Sequence, residues 1–341
     1  MSLLTKALPR ILIVDDEPAN LKVLRQVLQD SYRLSFARSG ADALALLEKE
    51  HIDLILLDIM MPDMTGFEVC EQIKARPHTA RIPVIFVTAL KDTIDEETGF
   101  NLGAVDYITK PIVPVIVRAR VKTHLSLVQA DVLKETQVDL IQRLGRAAEY
   151  KDNETGMHVQ RMSHYSYVLA LAAGIDEEAA NELLLAAQMH DLGKIAIPDN
   201  ILLKPGRLDE GEFQQMKAHA QIGADILSNP QSQLVALAHS IAITHHEKWD
   251  GSGYPKGLKG EEIPLEGRIA AVADVFDALT SERPYKAAWS VEEAVHLLEE
   301  EAGKHFDPEL VRLFKQELPK IIDFKNQFAE QNFYISSASN Q

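Results

Sequence analysis

From Arg10 to about Lys110 the chain alternates short apolar runs with stretches whose apolar residues return every three to four positions. The runs are Ile11–Val14, Leu34–Phe36, Leu54–Leu57, Val84–Val87 and Tyr107–Ile108. Between the first two, Leu21, Leu24 and Leu28 share a helical face, and between the second and third Ala41, Leu44 and Leu47 do the same. Short continuous apolar runs separated by amphipathic helices predict five βα units around a parallel five-stranded sheet. Ser39 stands where a helix N-cap is wanted, and Gly103 and Pro111 punctuate later junctions.

After Pro114 the pattern changes. No Gly or Pro interrupts the chain until Gly145, which predicts one long helix ending there. Val121, Leu125, Val128 and Val132 follow a 3.5-residue spacing, so the helix is expected to extend the last βα unit and either to pair with a second copy of the chain or to serve as an unpaired helical linker. That seam decays at Glu135 and Asp139. From Leu144 onward the spacing is helical throughout, predicting an all-α bundle. One stripe, Ala180, Leu184 and Ala187, runs into His190; another, Leu234, Ala238 and Ile241, runs into His245. The tail from about Asn326 is polar and is expected to fray.

A length of 341 residues fits two domains and a connector, and 46% hydrophobic with 25% charged residues supplies two cores. The net charge of -16 leaves neither half basic, so DNA binding is not expected. No apolar run approaches the roughly 18 residues of a membrane span, and Lys6, Arg10, Asp15 and Asp16 interrupt any signal-peptide core. A cytoplasmic location is the expectation. Cys70 is the only cysteine, which excludes an internal disulfide and thiolate metal sites. Nine of the twelve histidines lie between His158 and His305, which points to nitrogen and oxygen metal ligation.

In the five-unit reading Asp15 and Asp16 end the first strand, Asp58 the third and Thr88 the fourth, and Lys110 follows the fifth. Open parallel sheets gather such residues at one edge. Clustered carboxylates suit magnesium, and a carboxylate so held can attack phosphorus to form an acyl phosphate. The Asp15–Asp16 pair, the run Asp58-Ile-Met-Met-Pro-Asp-Met-Thr-Gly66, Thr88-Ala89 and Lys110-Pro111 resemble a response-regulator receiver domain. The resemblance implies a flavodoxin-like fold over residues 1–125 and phosphorylation of Asp58 by a cognate histidine kinase. It also implies magnesium on Asp15, Asp16, Asp58 and the Met60 carbonyl, with Thr88, Tyr107 and Lys110 as the switch residues.

The second half carries His190-Asp191-Leu-Gly-Lys194, His219, His245-His246-Glu-Lys-Trp-Asp250-Gly-Ser-Gly-Tyr-Pro255 and Asp274-Val-Phe-Asp277, with Glu154 and His158 four apart upstream. Five inward imidazoles with several carboxylates are costly to bury without an organising cation. These motifs, with Ala273-Asp-Val-Phe-Asp-Ala-Leu-Thr-Ser281-Glu-Arg-Pro-Tyr-Lys286, resemble the HD-GYP family of HD-domain phosphohydrolases, which hydrolyse cyclic di-GMP. The resemblance implies two or three transition-metal ions, iron or manganese first and nickel or zinc as alternatives, on Glu154, His158, His190, Asp191, His219, His245, His246 and Asp274. Retention of Glu154 implies capacity for the third. Asp191, Lys194 and Asp277 are the implied catalytic residues, Arg283 and Lys286 the substrate-phosphate ligands. Gly253, Tyr254 and Pro255 shape a loop near the site, for which GGDEF-domain proteins are the expected partners.

The expected division is a receiver at 1–125, a helical linker at 113–145, the hydrolase at 146–325 and a tail at 326–341. Two positions depart from the family pattern without removing a ligand: Ala220 replaces a proline, and Gly267 an alanine. The expected activity is hydrolysis of cyclic di-GMP to pGpG or GMP under the control of Asp58. The competing readings are an HD phosphohydrolase on another nucleotide, such as cyclic GMP-AMP, and a catalytically silent binding module.

Overall fold

The computed structural model describes residues 8–89, 93–152, 157–282 and 288–329. They form two compact units, 1–135 and 136–341, so the division falls between the expected ends of the receiver and of the linker.

The first unit is built on strands β1 (Arg10–Val14), β2 (Arg33–Ala37), β3 (Leu54–Asp58), β4 (Val84–Thr88) and β5 (Asp106–Thr109). All pairs are parallel, in the order β2-β1-β3-β4-β5. Helices α1 (Pro18–Leu28), α2 (Gly40–Leu47), α3 (Gly66–Lys74), α4 (Thr93–Asn101) and α5 (Pro114–Lys151) connect and follow them. Alternation along the strands sends Leu12, Val14, Ile55 and Leu57 to one face, where Ala43, Leu44, Leu47, Val69 and Ile73 cover them. Ile11, Ile13, Leu54 and Leu56 go to the other, under Leu24, Leu28, Val117, Val121 and Leu125. Both faces are dry, which is why the strands read as continuous apolar runs.

Ser39 caps α2 by accepting the Asp42 N–H, as expected. The buried stripe of α2 differs by one position: Ala41 is exposed and Ala43 takes its place in the core. Two alanines two apart are not separable by spacing when a leucine follows each arc.

The seam expected along α5 is also reassigned. Val121 and Leu125 are buried in the sheet's core, so half of the proposed pairing surface is occupied within the receiver itself. Gly145 does not end the helix, which continues to Lys151. A Cβ there would stand 2.6 Å from the Gln188 carbonyl oxygen, so this glycine permits a close approach and is not a stop.

The second unit is helical, with α6 (Met157–Ala172), α7 (Glu177–Ala187), a 3-10 turn (Leu192–Ala196), α8 (Asp199–Leu202), α9 (Glu210–Ile226), α10 (Gln233–Thr244), α11 (Leu265–Thr280), α12 (Val291–Glu300), α13 (Pro308–Gln316) and α14 (Leu318–Gln327). Its core gathers Tyr165, Leu183, Ala187, Ala238, Ile241, Phe276, Phe306 and Phe314. Leu183, not Leu184, is the fully buried member of the α7 stripe. Helix α14 runs to Gln327, into the expected tail, and the Phe328 ring packs 4.6 Å from the His164 ring. The rest of the expected tail, 330–341, lies outside the described residues. Among the described residues no helix is long and apolar enough to cross a membrane.

Candidate metal centre and phosphoacceptor site

At the carboxyl edge of the sheet, β1 delivers Asp15 and Asp16, β3 delivers Asp58, β4 delivers Thr88, and Lys110 follows β5. Gly66 lets α3 begin against the end of β3; a Cβ there would lie 2.2 Å from the Asp58 carbonyl oxygen. Thr65 and Glu68 close that helix start with a capping box. Lys110 Nζ donates to Asp58 Oδ2 at 2.7 Å and to Asp15 Oδ2 at 3.0 Å. Asp15 also accepts from Asn20, and the Met60 N–H donates to Asp58.

Donor oxygens of Asp15, Asp16 and Asp58 all lie within 4.8 Å of one another. Burial raises the Asp58 pKa, Lys110 opposes this and the neighbouring Asp15 adds to it. One ammonium does not balance three carboxylates, and an all-oxygen donor set is what a hard divalent cation takes. Thr88 and Tyr107 are buried. The Tyr107 ring lies between Phe86 and Phe100, at 5.5 and 5.1 Å.

In the helical unit α6 supplies His158, the end of α7 leads to His190 and Asp191, α9 carries His219, the end of α10 leads to His245 and His246, and α11 carries Asp274. Gly193 permits the 3-10 turn to lie on α9, where a Cβ would come within 2.0 Å of the His219 carbonyl oxygen. The donors form two sets: Asp191, His219, His245 and His246, and His158, His190 and Asp274, each with donor atoms within 4.8 Å of one another. The sets adjoin. His190 Nε2 lies 3.1 Å from Asp191 Oδ2, and the His190 and His245 rings are 5.2 Å apart.

Burial lowers the His219 pKa to about 4 and holds that of His246 well below the usual imidazole range, so both offer neutral nitrogens at pH 7. Asp191 and Asp274 stay ionised despite burial because Lys194 and the surrounding histidines favour their charged forms. His190 Nε2 and Asp191 Oδ1 are buried, and although Asp191 Oδ2 lies 3.1 Å from the first and His219 Nε2 3.3 Å from the second, neither atom makes a well-aligned hydrogen bond among the described residues. Orphaned donors of this kind, one in each set, fit divalent cations held by nitrogen and oxygen.

Lys194 reaches back to this centre, with Nζ 2.9 Å from Asp191 Oδ2 and 2.6 Å from Asp152 Oδ2. Asp152 was not anticipated; its only signal was its place two residues before Glu154. Asp277 stands apart from the other expected catalytic groups. It is fully buried and contacts His158 Nδ1 at 2.9 Å, on the side of that imidazole away from the donor set.

Tyr254 does more than shape its loop. Its ring packs on the His246 ring, with centroids 4.8 Å apart. Glu247, a second residue missed, is buried and accepts the Lys256 and Leu258 N–H groups, fastening the loop beside the two histidines. Gly253 is required there: a Cβ would lie 2.3 Å from the Lys248 nitrogen. At Gly267 a Cβ would meet Thr244 Oγ1 at 2.1 Å, which accounts for the missing alanine. Glu154, Arg283 and Lys286 lie outside the described residues.

The chain matches the response regulator receiver domain family over residues 11–122 and the HD domain family over 142–310. It is 44% identical to a probable cyclic di-GMP phosphodiesterase of Vibrio cholerae, over 94% of this chain and 80% of that protein. It is 40% identical to the cyclic di-GMP phosphodiesterase response regulator RpfG of Xanthomonas campestris, over 88% of this chain and 85% of that one. A 3'3'-cGAMP-specific phosphodiesterase of Vibrio cholerae is 46% identical over 56% of this chain and 36% of its own length. With both domains matched in order and most of each full-length relative covered, this chain belongs to the family of response regulators that join a receiver domain to an HD-domain phosphodiesterase.

Proposed function

We propose that the chain hydrolyses cyclic di-GMP in its helical unit and that phosphorylation of Asp58 controls this activity. The observation that carries the reading is the pair of adjoining donor sets with Lys194 at their edge. Two full-length relatives named for the same activity support it. Iron or manganese is the preferred occupant, with nickel or zinc as alternatives and Glu154 as the added ligand for a third ion.

Divalent cations so held would lower the pKa of a shared water and neutralise charge developing on phosphate oxygens. Asp191, placed in one set and 3.1 Å from His190 of the other, is the residue suited to span both. Asp152 and Asp191 keep the Lys194 ammonium charged and aimed at the centre, where it would hold an oxygen of the scissile phosphate. Hydrolysis adds water across one phosphorus–oxygen ester bond, giving linear pGpG with a new phosphate monoester and a freed hydroxyl; a second turn gives GMP. Arg283 and Lys286 would take the remaining phosphate charge.

In the receiver, magnesium would sit on Asp15, Asp16, Asp58 and the Met60 carbonyl, and a histidine kinase would supply the phosphoryl group. Lys110 and Thr88 would then bind that group, with Tyr107 as the switch partner. Residues exposed on α5, among them Leu133, Leu140 and Leu144, are the surface left for homodimer pairing. GGDEF-domain proteins would meet the loop at Gly253, Tyr254 and Pro255. A cytoplasmic location would suit both substrate and kinase.

The likeness to the cGAMP-specific relative favours a second reading, in which cyclic GMP-AMP is the preferred substrate. Chromatographic product analysis with each cyclic dinucleotide separates them. Manganese-loaded chain is expected to release pGpG or GMP from cyclic di-GMP, with the product absent from a His190→Ala, Asp191→Ala variant. Faster turnover of cyclic GMP-AMP would establish the second reading.

A further inference from the structure

Helices α6 and α11 each present two residues three apart, and such pairs share a helix face. On α6 they are His158 and Arg161; on α11 they are Asp274 and Asp277. The inner members face one another, with His158 Nε2 3.3 Å from Asp274 Oδ1. Behind them Arg161 grips Asp277 with both arms of its guanidinium, Nε to Oδ1 at 2.8 Å and Nη2 to Oδ2 at 2.9 Å. Arg161 is 3% exposed and Asp277 0%. The same Asp277 Oδ2 lies 2.9 Å from His158 Nδ1. Arg161 also donates to Ser281 Oγ at 2.8 Å and to the Phe328 carbonyl at 3.3 Å.

We propose that Arg161 is a positioning residue for the metal centre: by fixing the Asp277 carboxylate it keeps the His158 proton on Nδ1 and aims Nε2 at the ion held with His190 and Asp274. The inference rests on reading that set as a metal site. A carboxylate free to rotate would accept the Nδ1 proton in several orientations, and the ring would follow it. Carboxylates behind histidine ligands set both tautomer and aim, and their loss commonly weakens metal binding about 10–100-fold. A bidentate fork locks the carboxylate plane, which a lysine ammonium cannot do although it supplies the same charge. Contacts to Ser281 and Phe328 hold the fork itself, so the end of α11 and the residue following α14 help to set its angle.

The test is titration of the metal-free full chain with Mn²⁺ alone, counting bound ions by electron paramagnetic resonance, for the wild type, Arg161→Lys, Asp277→Asn and the double variant. Arg161→Lys should weaken one ion tenfold or more and leave the ion of the Asp191 set within about threefold of wild type. Asp277→Asn should weaken the same ion, and the double variant should be no worse than the poorer single one, as residues on one path behave. In the metal-free chain the ¹⁵N shifts of His158 should report a proton fixed on Nδ1 in wild type and mixed tautomers in Arg161→Lys. Wild-type binding of both ions by Arg161→Lys would overturn the proposal, as would equal weakening of both ions with unchanged ¹⁵N shifts. Should Arg161→Lys not fold, wild-type Mn²⁺ binding and ¹⁵N shifts in Asp277→Asn would overturn it equally. No nucleotide enters the experiment, so failure of the chain to open cyclic di-GMP would leave this result standing on its own.

Discussion

In the receiver unit, three carboxylates gather at the edge of a sheet and two of them share one ammonium; in the helical unit, five imidazoles and two carboxylates meet where the ends of α7 and α10 run against α6, α9 and α11. The receiver cluster is partly satisfied by the protein itself, because Lys110 bridges Asp15 and Asp58. In the helical cluster Lys194 likewise pairs with Asp191 Oδ2, yet buried His190 Nε2 and Asp191 Oδ1 make no well-formed hydrogen bond among the described residues. The difference sets what each site can do. Oxygen donors beside an ammonium suit a phosphoryl group that comes and goes, whereas imidazole nitrogens and carboxylates in a buried interior suit ions that stay.

Breaking the helical cluster should therefore cost more than breaking the receiver. Replacing His190 and Asp191 by alanine is expected to remove tightly bound metal and to lower hydrolysis at least about 1,000-fold. Asp58→Asn should abolish phosphoryl uptake from acetyl phosphate while leaving the metal content of the chain, read by elemental analysis, as in the wild type. Metal loss in Asp58→Asn would erase the distinction between the two sites.

The two lysines sharpen the comparison next. Lys194→Met should reduce kcat about 100-fold with metal content retained, since it removes one preorganised donor to the phosphate. Lys110→Met should leave kcat within about twofold and instead slow phosphorylation of Asp58.

Acidification distinguishes them by donor chemistry. The folded His219 pKa of about 4 lies below its ordinary value near 6.5, so the unfolded chain takes up the proton first as pH falls. Its contribution to stability is complete above pH 6.5 and is lost as pH drops towards 4. For this buried residue the loss in metal-free protein is about 2 kcal/mol between pH 8 and pH 5, measurable by urea denaturation. The loss should be absent from His219→Gln, and an equal loss in that variant would contradict a neutral His219 in the folded chain. Ser39→Ala is the smallest perturbation: loss of the cap to the Asp42 N–H should cost about 1 kcal/mol in the receiver and change nothing in hydrolysis.

Much of this was legible in the chain. Dry parallel strands read as unbroken apolar runs, and the aspartates at their ends needed only the topology to converge. The two stripes leading into His190 and His245 correctly placed those imidazoles inside. What periodicity could not supply was competition for a face: Val121 and Leu125 look like a pairing seam until the sheet that covers them is present. Gly145 looks like a stop because close approach to the Gln188 carbonyl leaves no mark in the sequence. The supporting residues were missed for a similar reason. Asp152, Arg161 and Glu247 act on partners 42, 116 and 9–11 positions away, and a charged residue in a helix or a loop gives no sign of whether it faces water or a buried partner.

The most direct measurement is product analysis of cyclic di-GMP incubated with full-length protein carrying at least two Mn²⁺ per chain, beside the His190→Ala, Asp191→Ala variant. Release of pGpG or GMP by the former alone is the predicted result; an intact chain that holds its ions and leaves both cyclic di-GMP and cyclic GMP-AMP unopened would contradict it.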